Sequence, residues 1–236
     1  MKNIIIFGAS GHGSVVLDCI EKEGRYKVVG FMDSYKKKGL IINGYKILGN
    51  EFDLPFVIEK YSVTGVFVAV GDNWVRKILI DRITKINPNI RFISVVHPSA
   101  SIGKYVEIGN GTVIMPGVIV NANTVIKDFC ILNTNASLDH DGYMDDFSSL
   151  APGVVIGGNL WLGKFSALSL GCKVVENITV GKHSIVGAAS LVSDDVADYV
   201  TVYGSPARVI SKRAIGDPYL SRSKRASSRL FISNDY

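Results

Sequence analysis

Thr112-Val113-Ile114-Met115-Pro116-Gly117-Val118-Ile119-Val120-Asn121-Ala122-Asn123-Thr124-Val125-Ile126 puts an aliphatic residue at Ile114, Val120 and Ile126, one every sixth position. The same beat runs from Val96 to Val192 without a skip, seventeen anchors that are all aliphatic or Met. A period of six is neither the 3.6 of a helix nor the 2 of a strand; it belongs to a solenoid whose coil has three flat faces. Two positions before the anchors the residue is usually small or β-branched, as at Thr112, Val118, Thr124, Cys130, Ala136, Ser166 and Cys172. One position after them glycine recurs, at Gly103, Gly109, Gly157, Gly163, Gly181 and Gly187. Large inside, small beside it and glycine near the corner predict a narrow triangular prism of short parallel strands over residues 96–210.

The chain ahead of the prism alternates strand and helix. Lys2 to Phe7 is a short apolar run, Gly8-Ala9-Ser10-Gly11-His12-Gly13 a glycine-rich turn, and Ser14 to Glu23 has helical spacing at Val15, Val16, Cys19 and Ile20. Tyr26 to Met32 reads as a second strand ending at Asp33, and Val63 to Val70 as a later one followed by a helix from Trp74 to Ile86. Strand, helix, strand with glycines in the first turn predicts a parallel, Rossmann-like α/β domain over residues 1–95. Ile90 to Val96 is expected as its last strand, with His97-Pro98 handing the chain to the prism. Val200 to Ile210 is expected to cap the prism's open end.

Bulk properties narrow the classes. With 236 residues and a hydrophobic fraction of 47%, the chain is sized for two globular domains. No apolar run is long enough to span a bilayer, and the start lacks the pattern of a secretory signal, so no membrane insertion and a cytoplasmic location are expected. Cys19, Cys130 and Cys172 show no paired spacing, which argues against disulfides and a metal site. The net charge of +5 is carried by the stretch from residue 208 onward, where seven basic groups face two acids. Residues 1–207 are then formally neutral, which gives no support for nucleic-acid binding. Residues 211–236 are read as a solvated basic tail.

The glycine loop points backbone N–H groups and a helix N-terminus at one spot, which suits phosphate. Its spacing is G-x-x-G-x-G rather than the dinucleotide G-x-G-x-x-G, and the domain is too small for two mononucleotide halves. A mononucleotide group is the better expectation, with Gly11, His12, Gly13, Asp33 and Ser34 as its candidate contacts, and the departure argues against a dehydrogenase.

Of the four histidines, His97 reads as structural and His183 as an outward surface residue, while His12 lies in the glycine loop. His140 stands in Leu138-Asp139-His140-Asp141-Gly142, two places past an anchor, and so is expected to point outward among carboxylates. Imidazole suits general-base work near neutral pH, and a neighbouring carboxylate holds its ring and stabilises the imidazolium. Three six-residue faces make a coil of about 18 residues, which stacks Gly158 one coil beyond His140. A glycine there leaves its N–H open to a thioester oxygen, and Asn133, about one face earlier, is placed to orient an acceptor. With no G-x-S-x-G nucleophile in the chain, direct transfer with a histidine base is the simplest chemistry.

These motifs, together with Gly71-Asp72-Asn73 and Arg76, His97-Pro98-Ser99-Ala100 and Gly204-Ser205-Pro206-Ala207, occur in an order that resembles the sialic acid O-acetyltransferase and bacillosamine N-acetyltransferase family of hexapeptide-repeat, left-handed β-helix sugar acyltransferases. The resemblance spans roughly residues 1–212. It implies a homotrimer with acetyl-CoA lying along the prism, touching Gly158, Ala188 and Arg208, and an N-terminal domain that holds the nucleotide of a sugar substrate. It implies His140 as catalytic base oriented by Asp141, and Asn133 near the acceptor amine. Two departures stand out: Asp141 is often Glu in the family, and a second histidine used by the bacillosamine enzymes falls on Ser149 here. The implied activity is N-acetylation of a nucleotide-linked 4-amino-deoxy sugar in surface polysaccharide or glycan biosynthesis, without a metal. Sialic acid O-acetylation is the alternative, and a non-catalytic scaffold trimer the rival of another class.

Overall fold

The structure, a computed structural model, describes residues 1–220. The α/β domain runs β1 (Lys2–Phe7), α1 (Gly11–Glu23), β2 (Tyr26–Met32), β3 (Ile41–Ile42), β4 (Tyr45–Gly49), α2 (Leu54–Tyr61), β5 (Val63–Val68) and α3 (Asn73–Ile86). The strand order is β3-β4-β2-β1-β5, with β1 parallel to both β2 and β5. Strand alternation gives each face its own core. Ile4 and Ile6 pack with Val16, Leu17 and Ile20 of α1, whereas Ile5 and Phe7 pack with Leu54 and Val57 of α2 and Ile80 and Ile83 of α3. Of the expected last strand only Val95–Val96 is regular; Phe92 meets β5 through a single bridge at Val66. The strand from Val63 ends at Val68, two residues early.

From Val95 onward the chain is a left-handed parallel β-helix built of two-residue strands. Each strand pairs with the one eighteen residues on, as Ile119–Val120 does with Ser137–Leu138 and that pair with Val155–Ile156. The result is three parallel sheets, the faces of the prism. Every anchor from Ile114 through Val192 is buried, whereas outward residues that precede anchors, such as Ile119 and Val155, point to solvent. The buried core is continuous from Ile4 of β1 to Val202 beyond the last coil. Val200–Gly204 and Ala207–Lys212 form an antiparallel hairpin that closes the end, two residues past the expected boundary.

The corners differ from the sequence reading. The recurrent glycines after the anchors do not turn the chain; a β-carbon on Gly103 would lie 2.6 Å from the backbone nitrogen of Ala122 in the next coil. The turn is made three places after each anchor, where every residue from Tyr105 to Ala189 has positive φ, eleven of them not glycine. Asn123, Asp141, Asn159 and Asn177 hold one edge, and short polar side chains are the ones that tolerate this conformation. Along a second edge Phe129, Phe147, Phe165, His183 and Tyr199 stack with ring centroids 4.7–5.2 Å apart. Each stacked pair is worth about 0.5–1.5 kcal/mol, comparable to the ~1–2 kcal/mol that a left-handed residue costs. His183 is therefore a member of this ladder, half-buried against Trp74 of α3 rather than a free surface residue. Period arithmetic places it outward, but an outward corner position here is what the α/β domain covers.

The two domains are clamped by a buried cation. Arg76 on α3 is 1% exposed and donates from Nε to the Phe129 carbonyl, and from Nη2 to Asn73 Oδ1 and the Phe147 carbonyl. Its Nη1 donates to the carbonyls of Val70 and Gly71. No carboxylate is among these partners; carbonyl dipoles from both domains hold the charge. Residues 213–220 are no free tail. Arg213 N donates to the Tyr199 carbonyl, Gly216 lies on Trp74, and Tyr219 reaches the domain junction. The basic residues Arg222, Lys224, Arg225 and Arg229 lie outside the described residues.

Candidate active site

His140 and Asp141 sit at the edge where one prism face turns into the next. Asp141 is the corner residue, with φ of 56°, and this bend swings its carboxylate back so that Oδ2 lies 2.7 Å from His140 Nδ1. The other oxygen, Oδ1, accepts from Asn123 Nδ2 at 3.2 Å, one coil earlier. Asp139 fixes the backbone at the same place: its Oδ1 accepts from His140 N at 2.8 Å and from Asn121 Nδ2 at 2.6 Å. The hydrogen bond to Asp141 raises the His140 pKa above its ordinary value, against an opposing desolvation, with the charges of Asp139 and Asp141 adding to the rise. The bonds from His140 and Asn123 hold Asp141 below the usual carboxylate range. With Nδ1 committed to Asp141, Nε2 is the nitrogen free for chemistry.

Gly158 lies one coil on, beneath the ring. A β-carbon there would stand 2.5 Å from His140 Cε1 and 2.6 Å from Nε2, so no other residue leaves the imidazole in place. Gly158 is buried, and its N–H donates no hydrogen bond among the described residues, whereas the N–H groups flanking it, on Gly157 and Asn159, bond to Val174 and His140. The Gly158 N–H is thus left beside the imidazole without a partner among the described residues. Ala188 lies in a corner turn less than two coils farther along, and Arg208 is exposed on the closing hairpin, where Nη1 is 3.5 Å from Asp194 Oδ2. Asn133 is half-buried and turns its Oδ1 to the Thr134 N–H at 2.8 Å; no contact joins it to His140.

The second part of the site lies at the carboxyl ends of β1, β2 and β5. The chain runs from β1 to β2 and β4 on one side and returns to β5 on the other, which makes the gap between β1 and β5 the topological switch point. A crevice of about 450 Å³ opens there, its wall including Gly8, Ser10, Asp33, Ser34, Gly71 and Arg82 and no residue of the prism. Gly11, His12 and Gly13 are the first turn of α1, with no acidic residue to occupy the helix terminus. Their roles in the fold differ. Gly11 faces open space, but a β-carbon on Gly13 would lie 2.1 Å from the Gly8 carbonyl, so Gly13 serves close packing of helix on strand. Asp33 turns inward to the protein: Oδ2 accepts from Ala9 N and Oδ1 from Tyr35 N and Lys36 N, which shapes the glycine loop. The Ser34 hydroxyl donates to the buried Glu51 at 2.6 Å. His12 Nε2 is enclosed and has no partner, and burial together with the charge of Arg76 pushes its pKa down to about 4.

Asn121, Asn123 and Glu51 were not singled out by sequence. The first two lie eighteen residues before Asp139 and Asp141, so the coil repeat applied backward from the acids would have found them. Among the described residues no group of three or more His, Cys, Asp or Glu is arranged to hold a metal ion, and no helix is long and apolar enough to cross a membrane.

A parallel β-helix that presents an oriented imidazole over a glycine, joined to an α/β domain with an open crevice at its switch point, is the architecture of a hexapeptide-repeat acyltransferase. Residues 3–83 match the PglD N-terminal domain family. The GDP-perosamine N-acetyltransferase of Escherichia coli O157:H7 is 26% identical over 171 residues, 67% of this chain and 74% of that protein. PerB from Caulobacter crescentus, solved in complex with CoA and GDP-perosamine, superposes with a TM-score of 0.83 at 29% identity, covering 89% of this chain and 98% of that one. The acetyltransferase domain of PglB from Neisseria gonorrhoeae FA1090, in complex with acetyl coenzyme A, gives a TM-score of 0.81 at 30% identity, covering 89% of this chain and 99% of that one. The chain thus carries a PglD-type N-terminal domain and is similar over most of its length to the PerB and PglB hexapeptide-repeat sugar N-acetyltransferases.

Proposed function

We propose that this protein transfers acetyl from acetyl-CoA to the amine of a nucleotide-linked 4-amino-deoxy sugar. The observation that carries the reading is His140, bonded through Nδ1 to Asp141 at 2.7 Å and seated over Gly158. The sugar amine attacks the thioester carbonyl carbon, and the Gly158 N–H donates to the oxygen as it becomes an oxyanion. His140 Nε2 takes the proton that the amine nitrogen sheds, while Asp141 steadies the imidazolium. Collapse breaks the C–S bond, and the departing CoA thiolate receives the proton from His140, leaving an amide and CoA thiol. The acetyl donor lies along the prism past Ala188 toward Arg208; Gly158 and Ala188 are under two coils apart, about 8 Å along the axis at strand spacing.

The nucleotide belongs in the crevice, its diphosphate at the α1 N-terminus, where the Gly11 and His12 N–H groups and Ser10, whose side chain makes no cap bond, are free. Asp33 and Ser34 act mainly by shaping that wall, and His12, which is not part of the wall and has its Nε2 enclosed, backs the glycine loop as a neutral imidazole. The crevice contains no prism residue, and in the homotrimer of this reading the acceptor reaches His140 across a subunit boundary, where Asn133 would meet the amine. Exposed apolar side chains on the outer prism faces support such an assembly: Ile119 is 46%, Val155 49% and Trp161 50% exposed. The enzyme works in the cytoplasm, in the biosynthesis of a surface polysaccharide or glycan.

The test is thiol release from acetyl-CoA with UDP-, dTDP- and GDP-linked 4-amino sugars and with sialic acid. Turnover of an amino sugar is expected, with His140→Ala lowering kcat about a hundredfold or more, the scale of general-base removal. Turnover of sialic acid alone, or an unchanged kcat in His140→Ala, would overturn the reading.

A further inference from the structure

We infer that the segment from Arg213 to Leu220 is a strap that positions the nucleotide crevice, with Tyr219 as its anchor. It acts on the same crevice and so rests on the nucleotide reading above. The Tyr219 hydroxyl donates to the Gly71 carbonyl at 3.2 Å and lies 3.2 Å from Ser149 Oγ. Since the phenol proton goes to Gly71, Ser149 donates to Tyr219. Gly71 is part of the crevice wall, and Ser149 is on a prism strand, 7% exposed. One side chain thus ties the wall of the crevice to the prism face.

The rest of the segment is arranged to hold that contact. Arg213 Nη2 donates to the Asp217 carbonyl and Asp217 Oδ2 accepts from Ala214 N at 2.7 Å, which closes a compact turn. Gly216, with φ of 82°, places its backbone against the Trp74 indole. Leu220 reaches Gly71 from the other side: a β-carbon added there would be 3.2 Å from its Cδ1. The Gly71 carbonyl also accepts from the buried Arg76. Two donors from separate elements, one in the domain and one from the strap, therefore fix a single carbonyl beside the ligand space. In the loop Val70-Gly71-Asp72 between β5 and α3, Arg76 also holds the Val70 carbonyl and Asp72 Oδ1 caps α3 by accepting from Trp74 N and Val75 N, while Tyr219 adds a hold that comes from outside the α/β domain. Tyr219 is a positioning residue, since it acts through Gly71.

The experiment compares the full chain with chains ending at Leu220 and at Arg213, and with Tyr219→Phe. Binding of UDP, GDP and acetyl-CoA is titrated, and KM and kcat are measured for the accepted amino sugar. The chain ending at Leu220 is expected to match the full chain. The chain ending at Arg213 should bind the nucleoside diphosphate about tenfold more weakly and show a similar rise in KM for the sugar. Tyr219→Phe should show about a fivefold rise, the scale of one hydrogen bond. Affinity and KM for acetyl-CoA should stay within about twofold in all, the resolution of such comparisons. Equal nucleotide affinity in the two shortened chains overturns the strap alone, as does a loss shared equally by acetyl-CoA, which would mark a merely structural role. A full chain that binds neither nucleotide refutes the crevice assignment and the strap with it.

Discussion

Gly158→Ala tests the geometry of the site without removing any group that does chemistry. Gly158 is not in the left-handed region, so alanine suits its backbone. Its methyl carbon would stand 2.5 Å from His140 Cε1 and 2.6 Å from Nε2, whereas carbon contacts settle near 3.5–4.0 Å. The ring must therefore move by about 1 Å, which stretches the 2.7 Å bond to Asp141 beyond hydrogen-bonding range. A displacement of that size at a reacting group costs on the order of a hundredfold in rate. Because the His140 side chain is 54% exposed, it has room to swing aside, and the melting temperature should change little. The measurement is kcat by thiol release for wild type, Gly158→Ala, His140→Ala and the double variant. Since the methyl acts by displacing the imidazole, it should lower kcat by less than about threefold once His140 is already alanine, as expected of residues acting as a unit. A Gly158→Ala enzyme with wild-type kcat, or a double variant whose losses multiply, would refute the argument.

Asp141→Asn removes the main cause of the raised His140 pKa, so the ring should lose its proton at lower pH. The base must be neutral to act, and the acid limb of the kcat/KM profile should move to lower pH while kcat falls; a limb that stays put or moves up would deny Asp141 its orienting part. His12 gives a stability signature: unfolded it protonates near 6.5, but folded it stays neutral down to about 4. Its contribution is thus neutral above 6.5 and grows unfavourable as pH falls toward 4, reaching about 3 kcal/mol at ~1.36 kcal/mol per pH unit. Relative to His12→Gln, the wild type should lose about that much unfolding free energy between pH 7 and pH 4 in urea titrations, and parallel curves would contradict it.

The prism was legible because its physics is a repeat: each anchor must enter a core too narrow for more than one large side chain per face, so the beat cannot be skipped. The same repeat gave the register, and with it the stacking of Gly158 on His140. What the period does not carry is the conformation of the corner. Glycine after the anchor suggests a turn, yet Gly103 and Gly157 are small because the neighbouring coil presses on them, and the turn falls on Asn, Asp and stacked aromatics. His183 departs from its expected surface position for the same reason, since it is the docked α3 that covers its corner. In the α/β domain, spacing located the loop but not the division of labour within it; whether a glycine faces a ligand or a carbonyl is a matter of packing. The strap left no signal at all, for a segment with no period and one decisive hydroxyl is indistinguishable from a tail until it is folded.

The corner conformation also answers a question raised by the shorter acid. A Glu next to a catalytic imidazole reaches it through an extra methylene, and Asp141 lacks that reach. At this corner, with φ of 56°, the shorter side chain still closes on His140 at 2.7 Å. Asn123, in the equivalent corner one coil earlier, holds the other oxygen, so the carboxylate is clamped between two coils rather than left to rotate. The edge that lets the chain turn is the edge that aims the base. Corner geometry repeats every eighteen residues along this edge, and Asp141 is where it sets an acid beside a histidine with glycine one coil on, the arrangement that the proposed proton transfer requires.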